Sequence, residues 1–128
     1  MIYLDASAAL AQLLAEDRHP PDALWDESLV ASRLLEYEMW TRVHARGLGS
    51  SHGDAVRALL GRVAFLEMIP EVLARALGAF PLPVRTLDAL HLASLDFLRE
   101  QGVALRLATY DERMRTAAKG AGIELFPL

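Results

Sequence analysis

The spacing of apolar residues changes along the chain, and each change marks an element. Residues 1–4 are a short apolar run whose length suits a buried strand. Residues 6–16 follow at once, rich in alanine, with Leu10, Leu13 and Leu14 at helical spacing. His19-Pro20-Pro21 closes that helix, because proline cannot continue one. A short acidic helix over 22–27 and a small apolar strand over 28–31 come next. Ser32 supplies an N-cap for a helix over 33–46, which Gly47 and Gly49 end. Val56, Leu59, Leu60 and Val63 predict a helix over 54–65, and a strand over 66–69 is stopped by Pro70. Residues 71–77 read as a helix, and Pro81 and Pro83 hold an extended connection. Thr86 caps a helix reaching 101, followed by a strand over 103–108, a helix over 112–119 and a strand over 123–126.

Strands thus alternate with helices, which predicts a parallel sheet of four to five strands with helices on both faces. No repeat, low-complexity tract or linker interrupts the pattern, so residues 1–128 are expected to be a single domain. The length and a hydrophobic content of 53% are enough for one core. No apolar run is long enough to span a bilayer, and the first residues lack the basic start of a signal peptide. The absence of cysteine excludes disulfides and thiolate metal sites. Together these features predict a cytoplasmic protein without a membrane partner.

Charge adds one oddity. The net charge is −4, from 13 basic and 17 acidic residues, which is no general nucleic-acid footprint. Twelve of the basic residues are arginine and one is Lys119. Arginine suits bidentate phosphate contact. The complete lack of asparagine, however, gives a GC-rich genome as the simpler source of the bias.

The acids carry the chemistry. Asp5 and Asp111 each follow a predicted strand, and Asp88 opens the helix before the strand at 103–108. In a parallel sheet Asp5 and Asp111 lie on the same edge. Asp88 joins them, because its helix runs antiparallel to the strand after it. Taken singly, each acid is explained by helix capping. Taken together, three carboxylates repel unless a cation neutralises them. Oxygen ligands without cysteine or a histidine pair favour Mg2+ or Mn2+ over zinc. His19, His44 and His52 have no metal-ligand spacing. His91, one turn beyond Asp88, reads as a packed or supporting residue rather than a ligand. There is no glycine-rich phosphate loop and no G-x-S-x-G elbow.

Four segments then resemble the PIN-domain ribonucleases and, within them, the VapC-type toxins of type II toxin–antitoxin systems. They are IYLDAS at 2–7, SRLLEYE at 32–38, FPLPVRTLDALHLA at 80–93, and TYDERM at 109–114 with AAKGAGI at 117–123. They cover nearly the whole chain in the expected order. The resemblance implies a three-layer α/β/α PIN-like fold and four acidic site residues, Asp5, Glu38, Asp88 and Asp111, that hold Mg2+ or Mn2+ and do the catalysis. The family spacing from Ser32 through Leu34 selects Glu38 over Glu36; Glu38 shares a face with Leu34 and Leu35, but Met39, Trp40 and Val43 make the helix apolar nearly all round, so periodicity alone leaves both open. Ser7, Thr109 and Arg85 match supporting positions. Ser7 and Thr109 would bond a carboxylate or a water there, or simply cap locally. Arg85 would contact phosphate or pair with an acid. Arg33, Arg42, Arg46 and Arg113 are further candidates for phosphate contact.

The implied activity is endoribonuclease cleavage by a metal-activated water, leaving a 5′-phosphate and a 3′-hydroxyl. The implied partners are an RNA such as tRNA or rRNA, a cognate VapB-type antitoxin, and a second copy in a homodimer. Two other readings use the same acids. An aspartate-nucleophile phosphohydrolase would want an acid at position 7, where this chain has Ser7. A non-catalytic PIN-like binding module is expected to have lost an acid, and all four are present.

Overall fold

The computed structural model describes all 128 residues. Strands β1 (Ile2–Leu4), β2 (Leu29–Ser32), β3 (Val63–Leu66), β4 (Arg106–Ala108) and β5 (Glu124–Leu125) form one sheet, in the order β3-β2-β1-β4-β5. Every pairing is parallel. Helices α1 (Ala6–Leu13), α2 (Asp22–Trp25), α3 (Leu34–Ala45), α4 (Gly49–Leu60), α5 (Pro70–Ala76), α6 (Thr86–Glu100) and α7 (Glu112–Gly120) connect them.

The two-residue period of the strands divides the core. Ile2, Leu4, Leu29 and Ala31 pack on one face against Leu10 of α1, Leu35 and Met39 of α3 and Val56 of α4. Tyr3, Val30 and Leu107 pack on the other against Leu92 and Leu95 of α6 and Met114 of α7. Both faces are covered, which gives the three-layer α/β/α arrangement. The central strand β1 is buried at all three positions. This is why Met1–Leu4 reads as continuously apolar rather than alternating.

The path through the sheet positions the site. The chain steps outward from β1 to β2 to β3, then crosses back to lay β4 on the other side of β1. The reversal falls between β1 and β4, at the carboxyl ends of two strands whose last residues, Leu4 and Ala108, are paired. A crevice opens at such a point, and ligands bind there.

Several boundaries differ from those read in the sequence. The fourth helix covers Gly49–Leu60 rather than 54–65, and the next strand Val63–Leu66 rather than 66–69. Gly49, Ser50, Ser51 and Gly53 look like loop residues, but packing against α3 overrides their propensity. A Cβ on Gly49 would stand 3.0 Å from the His44 ring, and one on Gly53 would stand 3.6 Å from Trp40. Gly49 therefore leaves room for the His44 ring, while a side chain at Gly53 would make ordinary contact with Trp40. Glu67 and Met68 lie beyond β3, where they bond Arg33 and the Ser32 hydroxyl. The fourth strand is only Arg106–Ala108, because Val103 turns back to bond the Leu98 carbonyl. The first helix stops at Leu13, well before the prolines. Ala15 adopts φ 49°, and the Glu16 N–H reaches back to the Ala11 carbonyl in a Schellman-type turn. Ser32 ends β2 yet still accepts from the Leu34 N–H at 3.2 Å. Thr86 is the first helical residue of α6 rather than its cap, and Arg85 holds the cap position without a side-chain bond.

Candidate active site

A cleft of about 780 Å³ opens at the sheet reversal. Asp5, Glu38, Asp88 and Asp111 all line it, and so do Ser7, Arg85 and His91. Each acid arrives on a different segment. Asp5 leaves β1 and caps α1, accepting from the Ser7 N–H. Asp111 leaves β4 and caps α7, accepting from the Arg113 and Met114 N–H groups. Asp88 lies in the first turn of α6, and Glu38 follows one turn into α3. Glu36 points elsewhere and stands 3.6 Å from Arg33.

Asp5 is held most tightly. It is 6% exposed, and its Oδ2 accepts from the Ser7 N–H (3.2 Å), the Ser7 hydroxyl (2.6 Å) and the Thr109 hydroxyl (2.7 Å). Those hydroxyls are themselves oriented. The Tyr110 N–H donates to Ser7 Oγ at 2.9 Å, and the Asp111 N–H donates to Thr109 Oγ1 at 3.0 Å. The backbone that presents Asp111 thus steers the two hydroxyls that fix Asp5. Capping and site support, alternatives in the sequence, are here one arrangement.

A common rule governs three of the acids. Every bond to Asp5 ends on Oδ2, the bonds to Asp111 end on Oδ1, and the bond to Glu38 ends on Oε1. One oxygen of each is fixed by the protein and the other makes no hydrogen bond within the chain. This donor set fits a hard divalent cation. The carboxylates are not gathered into a tight cage, since no three acid or histidine side chains are placed to grip one ion together. Mg2+ is ordinarily held by one or two protein carboxylates and keeps several waters, which this looser arrangement suits.

Repulsion between the acids is visible at Asp88. Burial raises its carboxyl above the ordinary range, and the charges of Asp111 and Asp5 raise it further, against the Arg85 N–H and His91. The raised carboxyl means that a proton on Asp88 is favoured more in the fold than in the unfolded chain. That contribution to stability is complete at low pH and is lost as pH rises through the raised value. Asp88→Asn is expected to raise the Tm at pH 7 in EDTA and to change it little at pH 3. Melting curves at both pH values check this, and a Tm that falls at pH 7 contradicts it.

Behind the acids lies a buried polar chain. His91 Nε2 meets Glu38 Oε1 at 2.5 Å, and His91 Nδ1 meets the Tyr3 hydroxyl at 2.8 Å. That hydroxyl accepts from the Ser32 N–H at 3.1 Å. Burial pushes the Tyr3 pKa far up, so the hydroxyl keeps its proton. Burial pulls the His91 ring down, but the Glu38 hydrogen bond and the charges of Glu38, Asp5 and Asp88 outweigh it, and the ring stands above its ordinary value.

Four arginines, Arg18, Arg42, Arg85 and Arg113, line the cleft. Arg42, Arg85 and Arg113 are exposed and outside the chain's ion pairs. Of the other arginines considered in the sequence, Arg33 is engaged by Glu67 at 2.6 Å and lies over the Phe65 ring. It sits in the turn after β2, where the end of β3 brings Glu67 alongside. Arg46 ends α3 away from the cleft. The cleft also contains Arg18, Tyr37 and Thr41, which sequence reasoning passed over. Thr41 and Arg42 follow Glu38 by three and four residues, so helical spacing could have found them. Arg18 reaches the cleft through the Ala15 turn, for which the sequence carries no glycine signal.

The sheet order, the crevice and the acids together define a class. The PIN domain profile matches residues 2–120. The chain belongs to the PIN-domain family and, within it, to the VapC-type proteins. It is 37% identical to ribonuclease VapC46 of Mycobacterium tuberculosis over 95% of this chain and 93% of that one. It is 30% identical to ribonuclease VapC35 of the same species over 96% of this chain and 93% of that one. Among solved structures, M. tuberculosis VapC20, described as a sarcin–ricin loop cleaving toxin, superposes with a TM-score of 0.68. That match covers 99% of this chain and all of the other at 19% identity, a likeness of fold.

Proposed function

We propose that this chain is a metal-dependent endoribonuclease, the toxin of a VapBC-type pair, with Asp5, Glu38, Asp88 and Asp111 as its catalytic and metal-holding residues. The observation that carries the reading is the convergence of four acids, from four separate segments, on one crevice at the sheet reversal. The ribonuclease relatives support the same activity.

Asp5, Glu38, Asp88 and Asp111 would hold a divalent cation, which would supply Lewis acidity at the scissile phosphate and lower the pKa of water. The chain's own residues do the rest. Asp5 is fixed by donors from Ser7 and Thr109 and Asp111 by the start of α7, and each would offer its other oxygen. One of these carboxylates accepts a proton from the attacking water. Arg42, Arg85 and Arg113 supply the positive charge that a net-acidic protein needs to draw a phosphate backbone into the cleft. Ser7, with Thr109, holds Asp5, and so position 7 does not carry the second acid of an aspartate-nucleophile phosphohydrolase.

The proposal includes a VapB-type antitoxin, an RNA substrate and self-association. Leu73, Leu77, Leu82 and Leu87 are exposed, Leu77 at 90%, and supply apolar surface for a protein partner. No helix is long and apolar enough to cross a membrane.

The test is incubation of the purified, partner-free chain with total RNA and either Mg2+ or Mn2+. Fragments bearing 5′-phosphates are expected with metal and none with EDTA. Cleavage that persists in EDTA, or none with either ion, rejects the assignment.

A further inference from the structure

The buried chain behind the cleft joins the elements that carry three of the acids. Tyr3 lies on β1 two residues before Asp5, His91 lies on α6 three residues after Asp88, and Glu38 lies on α3. Tyr3 is fully buried and His91 is 1% exposed. Two buried polar rings in a core are costly unless each is bonded. Here both are, and the bonds run in one direction. The Ser32 N–H donates to the Tyr3 oxygen, which leaves the Tyr3 hydrogen for His91 Nδ1. A carboxylate only accepts, so His91 Nε2 must carry the hydrogen that meets Glu38 Oε1. Nε2 carries that hydrogen in the neutral and in the charged ring, whereas Nδ1 accepts the Tyr3 hydrogen only in the neutral one.

We propose that His91 is a positioning residue for Glu38, whose Oε1 it pins so that Glu38 offers a divalent cation Oε2 alone. The proposal rests on the metal-dependent reading above. Its physical content is entropic and directional. A free glutamate samples several rotamers and both oxygens, whereas a glutamate tied to a buried ring is already ordered before a cation arrives. A hydrogen bond to an ionised carboxylate is stronger than one between neutral groups. Residues that orient a metal-binding carboxylate typically change metal affinity about tenfold or more when removed.

The experiment compares wild type, His91→Leu and His91→Gln, measuring Mn2+ affinity by calorimetry and Tm without metal. Leucine fills the space without a donor, while the glutamine amide restores an N–H near the Nε2 position. His91→Leu is expected to bind Mn2+ about tenfold more weakly. His91→Gln should recover most of that loss even if its Tm stays low. Unchanged affinity in His91→Leu overturns the proposal. So does equal weakening in both variants, since that follows from lost packing alone.

A second measurement needs neither a variant nor a metal. Nitrogen NMR of the metal-free wild type should show the His91 ring with a hydrogen on Nε2. A ring protonated only at Nδ1 overturns the proposal. If wild type binds no Mn2+ while Nε2 carries its hydrogen, the metal reading fails and the positioning of Glu38 stands.

Discussion

Asp5→Asn removes metal-dependent RNA cleavage by a factor of about a hundred or more, while the protein still folds. The expected loss follows from the two unequal oxygens of Asp5. Oδ2 receives three hydrogen bonds from Ser7 and Thr109. An asparagine can turn its carbonyl to those donors and keep them satisfied. Its amide then occupies the position of Oδ1, and a cation meets a donor where it had an acceptor. Asparagine caps a helix as well as aspartate does, so the start of α1 is preserved. Cleavage rates with Mn2+, read beside thermal melts, decide the matter. If the variant melts far below wild type, Asp5 serves the fold first and the assignment to the metal is wrong. If it melts normally and cleaves normally, Asp5 is a cap and no more.

Glu38→Gln gives the second large effect, and Glu36→Gln is its internal control. The glutamine carbonyl can take the His91 hydrogen and leave its amide toward the cleft, with the same inversion of donor and acceptor. A loss of about a hundredfold in cleavage is expected. Glu36, half exposed and 3.6 Å from Arg33, should tolerate glutamine with cleavage within about twofold of wild type, because exposed pairs contribute little. Rates for the two variants under one set of conditions separate them. Equal losses would mean that the helix, and not one of its glutamates, matters to the reaction.

How much of this was legible depends on the length scale of the cause. The burial of β1 is local, and four apolar letters before Asp5 announce it. The edge shared by Asp5 and Asp111 follows from parallel strands alone, without a side-chain coordinate. The start of α6 needs one more step, the antiparallel return to β4, and that too can be written from the sequence. Glu38 is different. Its helix is apolar nearly all round, so periodicity left Glu36 and Glu38 open and family spacing made the choice. The partner that distinguishes Glu38 in the fold is His91, 53 residues away.

The α4–β3 boundary was misread for a related reason. Gly49 and Gly53 look like punctuation because glycine weakens a helix by about 1 kcal/mol against alanine. They are helical here because α3 lies against them, and nothing within α4 says so. Arg33 is a similar case. As a letter it resembles the other arginines, and only the neighbouring end of β3 engages it with Glu67. His91 was legible as a buried support and illegible as to what it supports.

The hydrogen bond between Asp5 and Thr109 spans 104 residues, and the strand pair beneath it joins Ile2 to Arg106. β1 is thus the earliest strand of this sequence and the middle strand of the sheet, and its pairing with β4 waits until β4 has formed. Contacts of such separation form late and slow folding. A growing chain that ends before residue 109 has β2 beside β1 but cannot fix Asp5, and it has no Asp111 at all. The placement of Asp5 therefore joins residues more than a hundred positions apart in the sequence.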